Sequence, residues 1–139
     1  MKISKPLLEK IRAHGKRTYP EECCGILLGR MNGGEKIIGD IVEIENTLDV
    51  ERKRRYLIPP EIYQRAEKDA RQRGMEIVGF YHSHPDHPAV PSQFDLENAW
   101  GWFSYLITRI ESGEPKETTS WVLRDDRSAF EGEALEIAG

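Results

Sequence analysis

The sequence predicts an α+β fold, a mixed β-sheet flanked by helices. Three observations point there. Apolar runs at 23–28, 75–82 and 105–110 have the length of buried strands. Segments with helical spacing or helix-start signals at 5–14, 60–73 and 93–102 stand among them. Turn residues at Asn32-Gly33-Gly34 and around Gly113 place antiparallel pairs in the same sheet, as a sandwich around a mixed sheet requires. At 139 residues the chain has the length of one domain, so 1–139 reads as a single unit.

Each element has a local reason. Ser4-Lys5-Pro6 reads as a helix start, and Leu7, Leu8 and Ile11 give that helix one apolar face. Gly15 predicts its end at His14-Gly15. Cys23–Leu28, stopped by Gly29, is a short buried strand. Asn32-Gly33-Gly34 turns it into a return strand, Glu35–Asn46, where Gly39 predicts a bulge. In that strand Ile37, Ile41 and either Val42 or Ile44 compete for the inner face. Thr47–Arg55 is a polar loop, Tyr56–Ile58 a short strand halted by Pro59-Pro60. Ile62, Tyr63, Ala66 and Ala70 set a helix over Pro60–Arg73, closed by Gly74. Met75–His82 carries the strongest strand signal. A loop with Pro85, Pro88 and Pro91 follows, and Ser92 caps a helix over Gln93–Trp102. Tyr105–Ile110 and Ser120–Arg124 pair antiparallel, and Phe130–Ile137 adds an edge strand.

Composition excludes several classes. With 38% hydrophobic and 32% charged residues the chain is a well-wetted globular protein rather than a disordered one. No apolar run approaches the roughly 20 residues that span a bilayer, and the N-terminus lacks a signal-peptide core. A net charge of -4 argues against general nucleic-acid binding. The two cysteines, Cys23 and Cys24, are adjacent and offer no disulfide framework, which points to a reducing, cytoplasmic setting. In an apolar strand they read as small packing residues rather than catalytic thiols.

Three of the four histidines fall between His82 and His87. Alternate side chains of a strand share a face, so His82 and His84 can reach one metal ion together. Capping by Ser92 puts Asp95 in the first turn of the next helix, at the mouth of the loop. The three form a ligand set with a fourth position open, which is the catalytic type. A water in such a centre needs a proton acceptor, and Glu21 and Glu22, just before the cysteine strand, are both candidates. The plain alternative is a surface His-x-His beside an ordinary Ser-x-x-Asp helix start.

These residues resemble the JAMM (MPN-plus, Mov34) metalloprotease family. Its signature stands here as Glu22, His82-Ser83-His84-Pro85, Ser92 and Asp95, and Pro20 to Gly29 is similar to the family's Pro-x-Glu-x-x-Gly segment. The resemblance covers nearly the whole chain and selects Glu22 over Glu21. It implies a cytidine-deaminase-like JAMM/MPN fold with one Zn2+ held by His82, His84 and Asp95. Glu22 would be the general base and Ser92 the donor to the developing oxyanion. The compact form is similar to prokaryotic members that remove a residue or short peptide from the Gly-Gly C-terminus of a ubiquitin-like, β-grasp sulfur-carrier protein in cysteine or sulfur metabolism. Two alternatives stand beside that reading: a deubiquitinase-like isopeptidase on ubiquitin-like conjugates, and a non-catalytic MPN scaffold. The complete ligand set favours an enzyme, and the lack of a fourth protein ligand disfavours a structural zinc.

Other features fall outside the motif. His87 and Asp86 read as loop residues, and Trp100, Trp102 and Phe103 as core aromatics. Arg52-Lys53-Arg54-Arg55 is a solvated basic loop, or alternatively a docking patch for an acidic β-grasp partner.

Overall fold

The computed structural model describes residues 1–45 and 58–139. Its elements run β1 (Lys2–Ser4), α1 (Lys5–Thr18), β2 (Cys24–Asn32), β3 (Glu35–Ile44), α2 (Pro60–Gln72), β4 (Glu76–Pro85), α3 (Gln93–Asn98), β5 (Ser104–Glu111), β6 (Glu114–Leu123), β7 (Phe130–Glu133) and β8 (Glu136–Ala138). The eight strands form one sheet in the order β7-β6-β5-β4-β2-β3-β1-β8. The β4–β5 pair and the pairs of β1 with β3 and β8 are parallel. The other four pairs are antiparallel, so the sheet is mixed, as the sequence predicts.

Strand β4 is central, and every residue from Ile77 to His84 is buried. A strand buried on both faces needs cover on both. Ile3, Leu8, Ile11, Val78 and Tyr81 build one core beneath α1. Ala66 and Ala70 of α2 meet Cys24, Ile77 and Phe80 in the other. Continuing from Phe80 by alternation, His82 and His84 project on the α2 side.

Several boundaries differ from the sequence reading. Helix α1 passes through Gly15 to Thr18 because that glycine is a packing site: a Cβ there would stand 2.9 Å from Ile110 Cδ1. Helix α3 stops at Asn98, short of Trp102. The Trp100 N–H donates instead to the Tyr105 hydroxyl at 2.8 Å, and the Trp100 ring packs edge-on against Tyr63 and Phe80. The helix thus ends where the Trp100 N–H and ring find partners outside it. Strand β1 has no sequence signal, and the single edge strand expected over Phe130–Ile137 is two strands on opposite edges. Only Ala134 and Leu135 join them, a link of at most about 11 Å, so the sheet curls until its edges approach. The bulge is where Gly39 predicts it: Leu28 pairs with Asp40 and Gly29 with Ile38. The basic run Arg52–Arg55 and most of the Tyr56–Ile58 strand lie outside the described residues. No helix among those described is long and apolar enough to cross a membrane.

Candidate metal centre

Parallel neighbours β4 and β5 need a crossover, and the loop after Pro85 with α3 supplies it across the C-terminal end of β4. Antiparallel β2 brings the N-terminal side of its strand to the same end. Cys24 pairs with His82, the Ser83 N–H donates to the Cys23 carbonyl at 3.2 Å, and the Cys23 N–H donates to Ser83 Oγ at 2.8 Å. One residue further, Glu22 stands by His84. Close strand approach explains Gly25: a Cβ there would lie 2.1 Å from the Tyr81 ring.

The donors converge. His82 Nε2 and His84 Nε2 are 3.1 Å apart, His82 Nε2 lies 3.2 Å from Asp95 Oδ1, and His84 Nε2 lies 3.4 Å from Asp95 Oδ2. Tetrahedral zinc ligands at about 2.0–2.1 Å from the ion stand about 3.3–3.4 Å from one another. The set therefore has the spacing of three protein ligands around one small ion. The Pro88 carbonyl can only accept, so His84 Nδ1–H donates to it at 2.7 Å and leaves the neutral ring's Nε2 lone pair facing the cluster. Ser92 and Asp95 form a reciprocal cap: the Asp95 N–H donates to Ser92 Oγ at 3.1 Å, and the Ser92 N–H donates to Asp95 Oδ2 at 2.7 Å. One capping box thus both starts α3 and aims its carboxylate.

Glu22 is 2% exposed, and its Oε2 has no hydrogen-bond partner among the described residues. Burial pushes its carboxyl up to about 8, with His84 opposing and Asp95 reinforcing. Its carboxylate and the two histidines offer ligand atoms within 4.8 Å of one another, so Glu22 is also within metal reach. Asp95, at 3.2 and 3.4 Å from the two imidazole nitrogens, and Glu22 are thus both placed to complete a ligand set with the histidines. Burial alone would raise Asp95, but the facing His82 and the hydrogen bond from the Ser92 backbone hold it far below the usual range. It stays a carboxylate. Burial lifts both cysteine thiols to about 12, so neither is a thiolate nucleophile.

Two neighbours gain roles the sequence did not show. The His87 ring stacks on His84 with centroids 4.0 Å apart and 16° between planes. The Asp86 carboxylate turns to the Tyr19 hydroxyl at 2.6 Å and the Ser112 N–H at 2.7 Å, pinning the start of the loop. Two cavities flank the centre. One, about 580 Å³, is lined by Tyr63, Phe80, Trp100 and Tyr105 and reaches Asp95. The other, about 500 Å³, is polar and reaches Glu22. Against the core role the sequence suggests, Trp102 is 45% and Trp100 52% exposed, and Trp100 walls the aromatic cavity instead. No sequence spacing marks Tyr63 or Tyr105 as its partners, because only the fold brings them together.

A donor set open on one side and backed by a buried carboxylate is that of a hydrolytic metal centre. Residues 4–124 match the family model for prokaryotic homologs of the JAB domain, and the chain belongs to that family. It is a JAMM-type metallopeptidase domain. It is 30% identical over 105 residues to a probable TtuB-protein conjugate cleaving protease of Thermus thermophilus, which covers 76% of this chain and 67% of that protein. With a desampylase of Pyrococcus furiosus the identity is 30% over 110 residues, 79% of this chain and 72% of the other. The solution structure of a Salinibacter ruber protein aligns with a TM-score of 0.78 and 40% identity, over 99% of this chain and 91% of that one.

Proposed function

We propose that this protein is a zinc-dependent hydrolase that cleaves the acyl bond at the Gly-Gly C-terminus of a ubiquitin-like, sulfur-carrier-type protein. The observation that carries the metal chemistry is the convergence of His82, His84 and Asp95 beside a buried Glu22 oxygen without a partner. Relatives named for conjugate cleavage support the substrate class. The bond takes two forms: a peptide bond to a trailing residue or short peptide, or an isopeptide bond to another protein's lysine. The names of the relatives favour the second. Buried, reduced cysteines accord with a cytoplasmic setting.

His82, His84 and Asp95 would hold the zinc, which supplies Lewis acidity toward the scissile carbonyl and an attacking water. Glu22 Oε2 takes the proton from that water and hands it to the leaving nitrogen. Ser92 Oγ accepts the Asp95 N–H with a lone pair, which leaves its own O–H to donate to the oxyanion. The test uses purified protein loaded with zinc and carrier adducts of both bond types. One zinc per chain and hydrolysis after the terminal glycine are expected. Glu22→Gln should keep the metal and lose at least about a hundredfold in rate. Failure to cut every Gly-Gly-tailed adduct, or full activity in Glu22→Gln, would overturn the reading.

A further inference from the structure

Just beyond α3 one peptide group is gripped from both sides. The helix ends at Asn98, and the next carbonyl, that of Ala99, accepts the Arg127 Nη2–H at 2.9 Å. The N–H of the same peptide group belongs to Trp100 and donates to the Tyr105 hydroxyl at 2.8 Å. Arg127 lies between β6 and β7, and Tyr105 lies on β5. Two separate elements thus hold the planar Ala99–Trp100 unit, which cannot swing without losing a hydrogen bond.

Arg127 is set up for this reach by its turn. Its φ is 62°, in the left-handed region, and its N–H donates to the Arg124 carbonyl at 2.8 Å. Among the described residues its guanidinium makes no ion pair, so the Ala99 carbonyl is its anchor. What the grip steadies is Trp100, whose ring is 52% exposed. That ring stands edge-on to Tyr63 and Phe80, with centroids 5.7 and 5.9 Å away. An indole this exposed has little packing to hold it, and turning the backbone on either side would take it off its wall. Arg127, Trp100 and Tyr105 all line the cavity of about 580 Å³ that reaches Asp95.

Resting on the hydrolase reading above, we infer that Arg127 is a positioning residue for substrate. Acting through the Ala99–Trp100 peptide group, it fixes the Trp100 ring as a ready-made wall for the chain next to the scissile bond. The guanidinium works through the indole and not by touching substrate. A wall set in advance lowers the ordering cost of binding. It holds ground state and transition state alike, so its loss shows in KM and not in kcat.

The test uses Arg127→Met, which keeps the aliphatic stem and removes the donor. By 15N relaxation, the order parameter of the Trp100 indole N–H should fall from about 0.85 to below about 0.6. For a Gly-Gly-tailed conjugate KM should rise about fivefold, with kcat within about twofold and zinc content unchanged. Arg127→Lys, which restores a donor, should recover most of both effects. Trp100→Ala should raise KM at least as much, and adding Arg127→Met to it should then change KM by less than about twofold. A Trp100 indole that stays rigid in Arg127→Met, an equal Arg127 effect with and without Trp100, or a loss confined to kcat would overturn the inference and leave the hydrolase reading standing. Wild-type protein that cuts no conjugate would sink the hydrolase reading instead. Conjugate binding by fluorescence anisotropy would then decide the inference, with a loss of about fivefold in Arg127→Met supporting it and equal affinities sinking it as well.

Discussion

At His84 two contacts fix one imidazole: the Pro88 carbonyl on Nδ1 and the stacked ring of His87. Outer contacts of this kind typically contribute tenfold or more to metal affinity by holding the ligand ring in place. His87→Ala should therefore weaken zinc binding about tenfold, measured by competition with a chelator, while His87→Phe, which keeps a stacking face, should stay close to wild type. Unchanged affinity in the alanine variant would show that Pro88 alone orients the ring. Legibility at this scale followed sequence distance. His82 and His84 lie two apart on a strand and Ser92 and Asp95 three apart at a helix start, so local geometry alone places each pair. Glu22 is 60 residues from His82 and becomes distinct from Glu21 only through the β2–β4 register or the family pattern. His87 reads as a loop residue outside the motif, because stacking across a proline loop leaves no periodic trace.

Helix α1 docks on the sheet partly through a polar contact. His14, 4% exposed, meets the Tyr81 hydroxyl through Nδ1 at 2.7 Å, and burial lowers its pKa below the ordinary 6.5, with Glu43 opposing. The unfolded chain therefore binds this proton more readily than the folded one. The contribution of His14 is fully present above about pH 6.5 and is lost as pH falls toward its lowered folded value. Urea midpoints of wild type and His14→Gln should accordingly converge at acidic pH, with the wild type losing more between pH 7.5 and 5. Parallel pH profiles would remove His14 from the account. The same interface explains Gly25, since Gly25→Ala forces a methyl into the Tyr81 ring. A loss of about 1–3 kcal/mol is expected in denaturant unfolding. Elements legible in the sequence were those with a face to fill: α2 and β4 fell within a few residues of their expected bounds. Strands β1 and β8 have three residues each, too few for a period, and take their conformation from their neighbours.

The curl of the whole sheet creates a seam that no local pattern encodes. Buried Lys36 of β3 donates to Ser104 Oγ at 2.9 Å and to the Trp102 carbonyl, with its amine 4.8 Å from the centre of the Trp102 ring. Ser104 and Ser120 in turn donate to Glu133 Oε1 at 2.6 and 2.8 Å. In the sequence these four residues lie far apart, and each reads as ordinary surface polarity. Only a sheet whose β7 end returns to β3 gathers them, closing the molecule with a chain of hydrogen bonds instead of an exposed edge. Removing the acceptor strands two buried hydroxyls and takes away the anion nearest Lys36. Glu133→Ala should therefore cost about 2–4 kcal/mol, read from denaturant midpoints. The metal centre should not feel it. Along β4 and β5 the register runs from Gly79 opposite Ser104 to His84 opposite Arg109, five residues or about 16 Å. Zinc content and the rate of the folded enzyme should thus match wild type at temperatures where both are native. A variant that lost zinc in step with its stability would mean instead that the seam and the centre unfold as one unit, and that the curl itself holds Asp95 against the histidines.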